Sequence, residues 1–307
     1  MPALIRQLAL VSESKVIPYG DVLKVSAAIQ KQATRDLGPI WEVAATVDAF
    51  ETLDDVPVGY WPMRVMDDIQ TAGASGVHED ENGQPFALIT ASSDLNTWSL
   101  TASHEAFEML VDPFGNRVVA SDSPKSGQGR ASILVEVCDP SEAADYAYSV
   151  NGILVSDFYT PNYFDPVKAA GVRYSYTGAL TEPRQVLPGG YLSWQDAASG
   201  HWWQEIWFGT SQSTFRDLGA IDQKANGNVR AVIDRQTMGD TMQAIARGRK
   251  EAAAAGLTVA AISPGTTTRA AMWREQTSQI LGGGRKGAGP QAASGRRAAR
   301  QVRPQPE

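Results

Sequence analysis

A chain of 307 residues with 43% hydrophobic and 8% aromatic side chains can bury one large core or two modest ones, and its composition is that of a globular protein. A net charge of -7 disfavours nucleic acid as a partner for the body of the protein, and a mean hydropathy of -0.25 argues against membrane spans. The single cysteine, Cys138, excludes an intramolecular disulfide framework and any zinc site built of cysteine alone, so a metal here must be held by histidine and carboxylate.

The N-terminal stretch MPALIRQLALVSESK has a short apolar run interrupted by Arg6 and Gln7, with no basic leader and no small-residue cleavage site. It does not read as a signal peptide, which points to the cytoplasm, or to a virion or other particle assembled there. From Asp21 to Leu37, Val22, Val25, Ile29, Ala33 and Leu37 recur at spacings of three and four, predicting an amphipathic helix stopped by Gly38-Pro39. Trp41 to Phe50 alternates as a strand with one buried face, and Tyr60 to Met66 reads as a second strand. The polar, glycine-rich TAGASGVHEDENGQP that follows reads as a loop carrying His78, a residue that in a loop is expected to be solvated. It delivers a third strand, Phe86 to Thr90.

Ser93 or Asp94 then caps a helix that ends at Asp112-Pro113, because the residue before proline is pushed out of the helical region. This helix holds the chemistry. His104 and Glu108 lie one turn apart on nearly the same face, Asp112 lies a turn further, and Glu105 lies to one side. Beyond it, Val118 to Ala120 is a candidate strand. Ile133 to Cys138 reads as a buried strand in which Glu136 is costly unless it is paired or bound to metal. Asp139-Pro140-Ser141-Glu142 has the form of a helix start, with Asp139 as N-cap and Glu142 closing a capping box.

Gly152 to Phe158 and Tyr191 to Phe208 are strand-like and rich in aromatics. Tyr159 and Tyr163 are candidate phenols for an oxyanion, and His201 sits among Trp202, Trp203 and Trp207 in a cluster suited to a core, an interface or a binding surface. Phe215 to Lys250 is polar and helix-prone, with scattered apolar positions suited to docking. Gly282 to Glu307 carries a charge of about +5 against about -12 for the rest, and its composition predicts disorder.

The order of helix, strands and HEAFE-bearing helix over residues 15 to 115 resembles the upper lobe of zincin metallopeptidases. There a mixed sheet presents its edge strand to the cleft and the next helix carries H-E-x-x-H. In this chain Glu108 stands in place of the second histidine. The resemblance implies a metal held by His104 and Glu108, with Glu105 as the general base that takes a proton from water. In the branch of zincins whose last ligand is a glutamate, that residue lies downstream on a second helix. Glu142 occupies a compatible position, with Glu136 and Asp112 as competitors.

HEAFEMLVDP, VEVCDPSE and SDFYTPNYF are also similar to stretches of uncharacterised bacterial and phage proteins, which implies a shared site over about residues 100 to 165. Two glutamates and one histidine place more negative charge on Zn2+ than two histidines and one glutamate, so harder cations such as Mn2+ become more competitive. The expectation is an α+β, zincin-like domain over residues 1–210, a helical extension over 211–281 and a disordered basic tail over 282–307. Its leading function is a metal-dependent peptidase or other hydrolase with a peptide or protein substrate. The alternative is a non-catalytic structural or phage assembly protein that engages a partner through the C-terminal region.

Overall fold

An N-terminal strand not expected from the sequence is an inner strand of the first sheet. In the computed structural model, which describes residues 4–71, 74–222 and 228–236, β1 (Ile5–Ser12) buries Leu8, Ala9, Leu10 and Val11 completely. A central parallel strand is covered on both faces, so it reads as a continuous apolar run without alternation. The helix α1 (Tyr19–Gln32) follows and buries Val22, Val25 and Ile29 at the expected spacing. Gly38-Pro39 does not stop the chain. A π-turn over Ala33–Leu37 leads into a short α2 (Gly38–Trp41), since proline is tolerated at the first positions of a helix, and the run ends at Glu42 with a φ of 56°. Trp41 is therefore a helix end, and β2 begins at Ala44 (Ala44–Phe50).

β3 (Trp61–Met66) falls where expected, but the segment read as a polar loop is largely strand. β4 (Gly76–Glu81) turns through Asn82 and Gly83, with φ of 55° and 80°, into β5 (Gln84–Thr90). Two consecutive positive-φ residues are what a tight two-residue hairpin requires, and Asn-Gly supplies them at least cost. The sheet order is β2-β1-β3-β5-β4, parallel except for the antiparallel β4–β5 pair, with β4 at an edge.

The next helix, α3 (Leu95–Val111), packs beneath that edge. Asp94 is its cap, accepting from the Asn96 amide at 3.2 Å and the Thr97 hydroxyl at 2.7 Å, and the helix ends before Asp112-Pro113 as expected. A Cβ at Gly76 would meet Glu105 Oε1 and Thr101 Cγ2 at 2.6 Å, so only glycine allows the β4 backbone to lie this close to α3.

A second, antiparallel sheet follows. β6 (Val118–Asp122) and β7 (Arg130–Leu134) lead to a small hairpin, β8 (Tyr148–Val150) and β9 (Ile153–Val155), before β10 (Tyr191–Asp196), β11 (Trp202–Ile206) and β12 (Thr214–Gly219) complete the order β12-β11-β10-β7-β6. β7 stops at Leu134, so Glu136 lies in irregular chain beyond it. The Asp139–Ser141 turn is a 3₁₀ helix whose N-cap is Cys138, with no capping box, and Glu142 is its C-cap. Thr214–Gly219 is strand where helix was expected.

Residues 229–236 are helical. This helix starts at Asn228, whose Oδ1 accepts from the Ala231 amide at 2.7 Å, and it docks on the turn that ends α3. The Val229 amide donates to Asn116 Oδ1 at 2.9 Å, and the Arg230 amide donates to the Gly115 carbonyl at 3.1 Å. Val229 and Ile233 bury against Leu134 and Trp202. The rest of the expected helical extension and the basic tail lie outside the described residues. All described residues belong to one unit, Met1–Ile262, and its architecture is α+β. No described helix is long and apolar enough to cross a membrane.

Candidate metal centre

Helical spacing on α3 places His104, Glu105 and Glu108 on the side that faces β4 and the chain after β7, and all three are buried. His104 and Glu105 form part of the floor of a cleft of about 490 Å³. Its other walls come from Gly76 at the start of β4, Glu142, Tyr191 on β10, Phe208, and Arg230 and Asp234 on the 229–236 helix.

His104 Nε2 lies 3.2 Å from Glu108 Oε2 and 3.2 Å from Asp139 Oδ1. It belongs with Asp139 and Glu142 to a group whose ligand atoms all lie within 4.8 Å of one another. Glu108 and Glu142 thus both approach His104, but in two different groups of ligand atoms. Asp139 Oδ1 is buried against the His104 ring, whose hydrogen bond opposes the rise in the Asp139 pKa.

Deeper in, the Arg230 guanidinium is enclosed. Its Nη1 donates to Glu108 Oε2 at 2.5 Å and to Glu136 Oε2, and its Nε donates to Asp234 Oδ2 at 3.1 Å. His78, on β4, is 2% exposed and not the solvated loop residue expected. Its Nε2 donates to the Asp112 carbonyl at 3.1 Å, and its Nδ1 lies 2.5 Å from Arg230 Nη1. Glu105 Oε2 lies 3.5 Å from His78 Nδ1 and 3.9 Å from Arg230 Nη2, and it makes no hydrogen bond among the described residues. Glu108 is fully engaged, its Oε1 accepting from the Cys138 amide at 3.2 Å.

These neighbours split the carboxyl groups. Burial works against charge on Glu108, but Arg230 and His104 outweigh it and hold this carboxyl well below the usual range. Burial pushes Glu136 and Asp139 well above that range, with the Glu108 charge reinforcing the shift against the pull of Arg230. Glu142 is pushed up to about 8, chiefly by desolvation, with the charges of Glu108 and Glu105 adding to it. His104 is held well above its ordinary value because Glu108 and Asp139 overcome its desolvation.

Of the residues singled out from the sequence, His104, Glu105, Glu108, Glu136 and Glu142 gather around this centre. Asp112 instead ends α3: its Oδ2 accepts from the Arg117 amide at 2.8 Å, and its carbonyl holds His78. Tyr159 and Tyr163 stack on each other in the core, 4.3 Å between ring centroids, and do not line the cleft, whereas Tyr191 does. His201 pairs with Asp217 at 3.0 Å on the surface, Trp202 is buried, and Trp203 and Trp207 are half-buried. Sequence reasoning missed Asp139 as a ligand candidate, because an Asp-Pro-Ser-Glu run imitates a helix cap, and it missed Arg230 altogether. Compared with protein-family models, curated proteins and solved structures, the chain matches none.

Proposed function

We propose that the protein is a metal-dependent hydrolase of zincin-like architecture acting on a peptide or protein, with the cation held by His104, Asp139 and Glu142 and approached by Glu108. The observation that carries this reading is the group of His104, Asp139 and Glu142, whose ligand atoms lie within 4.8 Å of one another where His104 and Glu142 line the cleft, with Asp139 Oδ1 3.2 Å from His104 Nε2. A spacing of about 3.2 to 3.5 Å is what two atoms in the coordination shell of one Zn2+ keep, so His104 and Asp139 fit the ion, with Glu142 within reach of them. The oxygen-rich donor set also suits a harder ion such as Mn2+. The strand order, with the antiparallel β4 at the edge above α3, supports the same architecture.

When bound, the cation would supply Lewis acidity, polarising a substrate carbonyl. Glu105 lines the cleft, and it takes the proton from the attacking water. The phenol of Tyr191, kept protonated by burial and by the nearby charges of Asp139 and Asp234, donates a hydrogen bond to the oxygen on which charge develops. Leu100 and Leu154 in the wall exclude water from that step. The test is Glu105→Gln, compared with wild type in cation binding and in hydrolysis of a mixed peptide library. The expected result is unchanged cation binding with hydrolysis reduced on the order of 100-fold or more. Equal hydrolysis by both proteins would remove Glu105 from the reaction.

A second reading, a non-catalytic structural or assembly protein that retains this architecture, is favoured by one observation. Arg230 already neutralises Glu108 and Glu136.

A further inference from the structure

The deeper half of the centre has the composition of a cation pocket and holds a cation from its own chain. His78, Glu105 and Glu108 bring ligand atoms within 4.8 Å of one another, as do Glu108, Glu136 and Asp139, and the guanidinium of Arg230 reaches into both groups. The guanidinium sits 2.5 Å from the same Glu108 oxygen that faces His104, so a divalent ion bound at His104 would share that oxygen with a fixed positive charge. At such separations, in a buried setting, two cations repel strongly. Arg230 and Asp234 are themselves part of the cleft wall.

The helix that carries Arg230 starts on two amide hydrogen bonds, from Val229 to the Asn116 side chain and from Arg230 to the Gly115 carbonyl, and its buried apolar face is Val229, Val232 and Ile233. Gly115 has a φ of 58°, and a Cβ there would meet Arg230 Cβ at 2.9 Å, so the turn that ends α3 is shaped to receive this residue.

We propose that Arg230 is an internal competitor for the metal: seated, it fills the carboxylate pocket in place of a divalent cation, and uptake of that cation is coupled to its withdrawal with the 229–236 helix. The inference rests on the metal centre proposed above and adds to it a latch carried by the chain itself. It reconciles the two readings of function, since the latched protein has the fold of the hydrolase with the centre neutralised from within.

Full-length wild type, Arg230→Ala and Asp234→Ala are to be titrated with Zn2+ and with Mn2+ by calorimetry, with the thermal midpoint followed at each cation concentration. Without metal, Arg230→Ala is expected to melt well below wild type, because Glu108 loses its counter-charge. With metal it is expected to regain that loss, and its affinity for the cation is expected to exceed that of wild type by at least ~10-fold. Asp234→Ala loosens the seat of Arg230 without removing its charge, so it is expected to shift affinity in the same direction by less, and it keeps the test alive if Arg230→Ala fails to fold. Equal or weaker cation binding by these variants would overturn the latch while leaving the metal centre standing. Absence of binding by all three proteins would overturn the metal centre and the latch with it.

Discussion

Two buried acid clusters in this molecule differ in how they are partnered. At the end of α1, Asp36 is 1% exposed and both of its oxygens are used: Arg35 donates from Nε at 2.5 Å and Nη2 at 2.7 Å, Tyr148 donates at 2.8 Å and Tyr176 at 2.7 Å. That cluster is closed, and it ties α1 to the β8 strand and to the loop before β10. Around His104 the acids outnumber their partners, and Glu105 Oε2 and Glu136 Oε1 are buried with no hydrogen bond among the described residues. Leaving such oxygens unpartnered costs roughly 1 to 3 kcal/mol each, a cost that a purely structural cluster such as that of Asp36 avoids. An excess of carboxyl groups under an open cleft is the arrangement expected of a site that takes up a cation or a substrate.

Three substitutions can break or sharpen this contrast. The largest effect is expected from Glu108→Gln, which takes a charge away from Arg230 and His104 together and leaves both cations buried. Urea denaturation should show a loss of about 3 to 5 kcal/mol. Asp36→Asn comes next, with a loss of about 2 to 3 kcal/mol from the weakened bonds to Arg35, Tyr148 and Tyr176.

Asp36 also makes a pH prediction. Burial works against its charge, but the hydrogen bonds from Arg35, Tyr176 and Tyr148 outweigh it and lower its pKa below the unfolded value. Its contribution is therefore present above the unfolded pKa of about 3.9 and is lost as pH falls through the folded value. Wild type should accordingly lose more stability than Asp36→Asn in acid, and parallel losses would show that the charge of Asp36 contributes nothing. The smallest effect belongs to Glu136→Gln. Burial and the charges of Glu108 and Asp139 already favour the neutral acid at this position, against Arg230, so the loss should be about 1 kcal/mol or less. A Glu136→Gln loss equal to that of Glu108→Gln would mean that the acids are not in excess.

How much of this was legible in the sequence depended on whether a feature was local. α1 was readable because its buried residues repeat at three and four, and α3 because Asp94 and Asp112-Pro113 mark its ends. β1 was not, because a strand covered on both faces loses its alternation. β4 was hidden by its polar composition, although Asn82-Gly83 was a hairpin signal in plain view. β12 was missed because Thr214–Gly219 is polar and partly exposed at a sheet edge, so no apolar period marks it.

The site divides in the same way. His104, Glu105 and Glu108 were found from helical spacing. Glu136 was flagged because a buried carboxylate demands a partner, but that partner, Arg230, lies 94 residues further along the chain, and no local pattern specifies a pairing at that range.

The central claim is that His104 and Asp139 form the core of a cation site that Arg230 guards. Its most direct test is metal content by native mass spectrometry after incubation with Zn2+ or Mn2+, comparing Arg230→Ala with Arg230→Ala carrying Asp139→Asn. The account predicts stoichiometric cation in the first protein and its loss in the second, with both folded by circular dichroism. Equal cation content in the two proteins, or none in either, would contradict it.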